Sequence, residues 1–180
     1  MLHGWGISAN LITAAGFIGT CIGSVLVAQG RLGWGGALIL LMGVFDAFDG
    51  AVARASGVSR PFGAFIDSVI DRYIEIVIYT GLIWYFMSSV NGQLGALLSA
   101  FAMGGSVLVS YARARAQSLG IETKIGILTR VERMVVIGPA IVLGVPLWGV
   151  AIVALLANFT AIQRILDVYQ QTKQQEDLSE

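Results

Sequence analysis

Four aspartates carry the chemistry of this sequence, in the order Asp46-x-x-Asp49-Gly50-x-x-Ala53-Arg54, then eight residues, then Gly63-x-x-x-Asp67-x-x-x-Asp71. The flanking stretches, Gly33 to Phe45 and Ile74 to Phe86, are apolar enough to lie in lipid. There each central carboxylate costs roughly 2.5–3.5 kcal/mol to insert, and four cost about 10 kcal/mol, so something must offset them. At about 100° per residue, Asp46, Asp49, Gly50 and Ala53 share one narrow arc of a helix with Arg54 at its border, and Gly63, Asp67 and Asp71 stack turn over turn on a second. Two helices thus present two carboxylates each to one cavity, with glycines leaving room for a ligand. Hard oxygen donors at this density suit two divalent cations, Mg²⁺ or Mn²⁺, whose charges balance the carboxylates. The alternative is a structural ion network with Arg54, Arg60 and Arg72, which needs neither the glycines nor the matched spacings.

Position for position, this motif resembles the signature of the CDP-alcohol phosphatidyltransferases, and the likeness extends to a six-helix layout over nearly the whole chain. The resemblance implies a membrane enzyme of phospholipid synthesis. Such an enzyme moves a phosphatidyl or similar lipid phosphate group from a CDP-linked lipid, such as CDP-diacylglycerol, to an alcohol and releases CMP; a homodimer is expected. It further implies that Asp46 and Asp67 bridge two metal ions, that Asp49 and Asp71 complete one site each, and that Asp71 is the general base. Spacing alone does not separate the four acids. On the same footing Gly50 lets the nucleotide approach its helix and Arg54 offers a planar fork to the pyrophosphate. Arg60 is either a second phosphate contact or a loop charge that sets topology. Ser8-Ala9-Asn10 is similar to the family's Thr-Pro-Asn segment near the nucleotide, with Ala9 in place of proline, which places Asn10, Leu11 and Ile12 on the CDP-lipid; Asn10 also reads as a helix cap.

The elements that must position these residues read as membrane helices. The chain is 56% hydrophobic and only 12% charged, against about 25% in soluble proteins, with mean hydropathy +0.79. Apolar runs near the roughly 20 residues that cross a bilayer fall at about 10–29, 34–55, 61–86, 94–116, 131–146 and 147–169. Gly30 and Gly33, Pro61, Asn91-Gly92 and Pro146 punctuate them. The expected fold is therefore all-α and integral to the membrane: six transmembrane helices around a polar cavity, residues 1–180 forming a single domain. Only the tail after about Tyr169 reads as solvated. A net charge of zero argues against a nucleic-acid partner. The lone Cys21 cannot form an internal disulfide and reads as a packing residue.

Arginine and lysine concentrate on alternate loops. Arg54 and Arg60 flank the second connection, Arg113, Arg115, Lys124, Arg130 and Arg133 surround the fourth, and Arg164 and Lys173 follow near the end. The positive-inside rule then places both termini and the site on the cytoplasmic side of the cell membrane. Trp5, Trp34, Trp84 and Trp148 lie near span ends, the aromatic-belt position. Gly16, Gly19, Gly23, Gly104 and Gly105 favour close helix packing or a dimer face.

For the acceptor, Ser110-Tyr111-Ala112-Arg113, then Val131-Glu132-Arg133 and Gln163-Arg164, are similar to the phosphatidylinositol-phosphate synthase branch of that family. The resemblance implies that Arg113, Arg133 and Arg164 bind the phosphate of inositol phosphate; basic residues at helix ends also anchor to headgroups. Where the branch often shows Glu-Arg-x-Glu-Arg, this chain has Thr129-Arg130-Val131-Glu132-Arg133. Glu75, one turn past Asp71, reads as a partner for an arginine rather than a metal ligand. Two other functions stay open at this stage: a synthase using glycerol phosphate, and an ion-coupled transporter, since intramembrane acids also mark ion pathways.

Overall fold

The computed structural model describes residues 9–55, 61–90, 92–123 and 125–177, with side chains from Thr13 to Asp46 in the first of these stretches. Six helices follow one another: α1 (Ala9–Ala28), α2 (Leu32–Ala55), α3 (Pro61–Met87), α4 (Gln93–Ser118), α5 (Arg130–Val142) and α6 (Pro146–Asp177). No strand occurs among the described residues. The helices form because long apolar stretches are broken only at Gly/Pro punctuation. Gly30 and Gly144 take positive φ (80° and 73°) at the ends of α1 and α5, where a side chain would be strained. Pro61 and Pro146 open α3 and α6, where no backbone N–H is needed.

Direct packing joins α1 to α2, α2 to α5, α5 to α6, α6 to α4, α4 to α3 and α3 back to α1. The bundle is thus a closed ring in the order α1-α2-α5-α6-α4-α3. Small residues set the tightest approaches. A Cβ on Gly35 would come within 2.6 Å of the Gly23 carbonyl oxygen, and one on Gly105 within 2.6 Å of the Asn158 side chain and 3.0 Å of its backbone nitrogen, so α1 meets α2 and α4 meets α6 nearly backbone to backbone. The packing role expected for Gly19, Gly23 and Gly105 is realised within the chain, whereas Gly16 and Gly104 meet nothing within 4 Å. Hydroxyls are satisfied locally: Thr20, Thr80 and Ser99 donate to carbonyls one turn back, and Ser24 donates to the Val77 carbonyl at 2.6 Å, pinning α1 to α3.

The distribution of polarity is inverted relative to a soluble protein. Large apolar side chains, among them Trp34, Trp84, Trp148 and Leu155, stand 65–79% exposed on the outside, while Glu75, Arg133 and Arg164 are buried. Lipid contact requires that outer surface. Among the described residues, α4 and α6 are long and apolar enough to cross a bilayer on those criteria alone. Helix α3 has the length, at 27 residues, but carries Asp67, Asp71, Arg72 and Glu75. Helix α5 is different: its 13 residues span about 20 Å, short of the ~30 Å hydrocarbon core, and Pro139 lies within it. Helix α6 runs past Tyr169 to Asp177, so much of the tail that reads as solvated is an exposed helical extension.

Candidate functional site

The carboxylates converge from α2 and α3, which lie on either side of α1 in the ring. One oxygen each of Asp46, Asp67 and Asp71 lies within 4.8 Å of the others. The i, i+4 spacing of Asp67 and Asp71 stacks them on one face of α3, as the sequence requires. The space beside them is open, because a Cβ on Gly63, one turn before Asp67, would meet nothing within 4 Å. Three hard-oxygen donors from two helices match the donor set of Mg²⁺ or Mn²⁺, so these residues fit divalent cations. Of Asn10, Leu11, Ile12, Asp49, Gly50 and Arg54 only the helical backbone is described, and Arg60 lies outside the described residues.

Beside the cluster a cavity of about 350 Å³ is walled by α3 (Ser68, Asp71, Arg72, Glu75), α4 (Val109, Ser110, Arg113, Ala114, Gln117), the start of α5 (Thr129, Arg130, Arg133) and Arg164 of α6. Arg113, Arg133 and Arg164, separated by up to 51 positions in the chain, are thus brought to one cavity with Asp71. Five arginines face it against the two carboxylates of Asp71 and Glu75, a balance suited to an anion.

The arginines differ in how they are held. Arg133, 1% exposed, donates from Nε and Nη2 to Glu75 Oε1 at 2.8 and 2.6 Å and from Nη1 to the Leu128 carbonyl at 3.1 Å. Arg164, also buried, donates from Nε to the Ile125 carbonyl at 2.9 Å and from Nη1 to the Val109 carbonyl at 2.5 Å. Both therefore fasten the segment between α4 and α5 while forming the wall. Leu128 N–H adds a bond to Thr160 Oγ1, and Gly126, at φ +140°, passes where a Cβ would meet the Thr160 methyl at 2.5 Å. Arg113 is exposed, and Arg115 bonds to Ser118 and does not line the cavity. The expectation that Glu75 partners an arginine is realised with Arg133.

Arg130 is the residue that sequence reasoning passed over as a loop charge. Its Nη1 lies 3.0 Å from Asp46 Oδ2 and 2.7 Å from Asp71 Oδ1, bridging the two helices of the acidic cluster. Its Nε is buried without a hydrogen-bond partner among the described residues. A cation in the first turn of a helix opposes the helix dipole, and the two aspartates offset that cost. The turn itself is fixed by a capping box in which Thr129 N–H donates to the Glu132 carboxylate. The available signal was spacing: Arg130 and Arg133 at i, i+3 on α5 match Asp71 and Glu75 at i, i+4 on α3, so two rungs cross the ring in register.

An all-helical ring with an apolar exterior, an acidic cluster and an arginine-lined cavity fits an enzyme that handles anionic substrates at a lipid surface. The chain belongs to the CDP-alcohol phosphatidyltransferase family, which it matches over residues 6–166. It is 37% identical to the archaetidylinositol phosphate synthase of Methanothermobacter thermautotrophicus, over 93% of this chain and 86% of that protein. It is 39% identical to the phosphatidylinositol phosphate synthase of Cutibacterium acnes, over 67% of this chain and 60% of the relative. Among solved structures, Mycobacterium tuberculosis phosphatidylinositol phosphate synthase (PgsA1) with CDP-DAG bound superposes with a TM-score of 0.85 at 24% identity, covering 93% of this chain and 89% of that one. The same enzyme with manganese and citrate also gives 0.85, covering 93% and 85%.

Proposed function

We propose that this chain is a multi-pass enzyme of the cell membrane that transfers a phosphatidyl-type group from a CDP-linked lipid, CDP-diacylglycerol or its analogue, to inositol phosphate and releases CMP. The observation that carries the acceptor is the single cavity in which Asp71 meets Arg113, Arg133 and Arg164. Its volume is in the range of small-ligand sites, and the excess of arginine suits a phosphate dianion. The synthase names of two relatives, each at least 37% identical, support the same acceptor.

In this reading Asp46, Asp49, Asp67 and Asp71 hold two divalent cations, Mg²⁺ or Mn²⁺, which when bound neutralise charge on the pyrophosphate being broken. Asp46 and Asp67 would contribute to holding both. Asn10, Leu11, Ile12, Gly50, Arg54 and Arg60 seat the CDP-lipid. The arginine wall holds the acceptor's phosphate so that its hydroxyl points back at the acidic cluster. Asp71 accepts the hydroxyl proton as the oxygen attacks the lipid phosphorus, and the bonding pair of the broken P–O bond leaves with CMP. Residues 1–180 act as one domain, with the cavity and both termini cytoplasmic and the chain paired as a homodimer.

The test is CMP release from CDP-diacylglycerol by purified protein in detergent with Mg²⁺ or Mn²⁺, across a panel of alcohol phosphates. Inositol phosphate should support the fastest release. A preference for glycerol phosphate would move the chain to the phosphatidylglycerophosphate-type reaction.

A further inference from the structure

The two rungs between α3 and α5 differ in kind. Asp71–Arg130 is partly exposed, with side chains at 14% and 30%, whereas Glu75–Arg133 is sealed at 4% and 2%. A buried ion pair is weak as a source of stability, since desolvation of both charges offsets most of the attraction. Its place calls for another explanation: both partners line the cavity, and Glu75 sits one turn from Asp71.

We infer that Glu75 is a positioning residue for the acceptor phosphate, acting through Arg133. Glu75 takes the Nε and Nη2 protons and Leu128 takes one from Nη1, so of the five N–H groups of a guanidinium two remain for an anion in the cavity. Without Glu75 the guanidinium would lose the contact that fixes its plane. The nearest carboxylate on α3 would then be Asp71, four residues or about 6 Å along the helix and already engaged by Arg130. Glu75 therefore keeps the deep cation on the phosphate side of the cavity and off the carboxylate assigned to proton transfer. This rests on the acceptor reading above.

The experiment measures binding of inositol phosphate and of glycerol phosphate to the full-length protein in detergent by calorimetry, beside kinetics with each substrate varied. Glu75→Ala should weaken the preferred phosphate by about tenfold, the size of one lost charge-assisted contact, and leave the CDP-lipid KM within about twofold. Glu75→Gln, whose amide oxygen still accepts from Arg133, should recover affinity to within about threefold of wild type. Should the alanine variant not fold, Glu75→Asp, one methylene shorter, draws Arg133 back and should show the same selective loss. Unchanged phosphate affinity in the alanine or aspartate variant, equal losses for both substrates, or no recovery with glutamine would overturn the assignment. If wild type prefers glycerol phosphate and Glu75→Ala weakens that ligand tenfold, the inositol reading fails while the role of Glu75 stands. If wild type uses inositol phosphate and Glu75→Ala is silent, the function stands and the role of Glu75 falls.

Discussion

Arg130 Nη1 lies 2.7 Å from Asp71 Oδ1, closer to the proposed catalytic base than any other cation among the described residues, and the same nitrogen reaches Asp46 at 3.0 Å. One guanidinium therefore ties α5 to both helices of the acidic cluster, on two of the three carboxylates that could hold a divalent cation.

Arg130 and a metal ion should accordingly compete. Arg130→Gln is expected to tighten Mn²⁺ binding without substrates by about tenfold, the equivalent of one charge-assisted contact. A Mn²⁺ titration followed by electron paramagnetic resonance reads this directly. A curve that overlays wild type, or moves to weaker binding, contradicts the competition.

Asp71→Asn should abolish turnover while largely preserving CDP-lipid binding, because the amide keeps the shape and loses the proton acceptor. Equilibrium binding beside a CMP-release assay separates the two. Turnover at the wild-type rate would remove Asp71 from the base role.

Asp46→Asn and Asp67→Asn should weaken metal binding as well as turnover, since each is assigned to both ions. If their Mn²⁺ titrations match wild type, the shared-ligand assignment is wrong.

Arg133→Ala and Arg164→Ala should each raise the acceptor KM about 10- to 100-fold, at roughly 1.5–3 kcal/mol per charge-assisted phosphate contact, with a smaller change in the CDP-lipid KM. The structure adds a distinction. Arg133→Ala leaves Glu75 buried without its partner, at a cost of about 3–5 kcal/mol, whereas Arg164→Ala removes only bonds to backbone carbonyls. Arg133→Ala should therefore show the larger fall in melting temperature, and pairing it with Glu75→Gln should restore part of that loss. Equal changes in the KM of both substrates would assign these arginines to folding.

The sequence reading reached furthest where chemistry and periodicity coincide. The aspartates declare themselves by charge in an apolar context, and i, i+4 stacking on α3 converts their spacing directly into convergence. Helix starts, and the ends of α1 to α4, were legible within a few residues because Gly30, Pro61 and Pro146 interrupt otherwise continuous apolar runs, whereas α6 continues past the expected end near Tyr169 to Asp177. The shortness of α5 was hidden, since Leu143 to Val145 continue its hydrophobicity although Gly144, at φ +73°, ends the helix. Partner choice was hidden too. That Arg133 pairs with Glu75, 58 positions away, and Arg130 with Asp46 and Asp71 follows from the closed ring of helices, a tertiary fact to which local pattern is blind.

Transfer to inositol phosphate at this site is read out by kcat/KM for CMP release from CDP-diacylglycerol with inositol phosphate and with glycerol phosphate, in wild type and in Arg164→Ala. Wild type should prefer inositol phosphate at least about tenfold, and the variant should lose about tenfold or more with that acceptor. No CMP release with either acceptor, or a preference for glycerol phosphate, would contradict it.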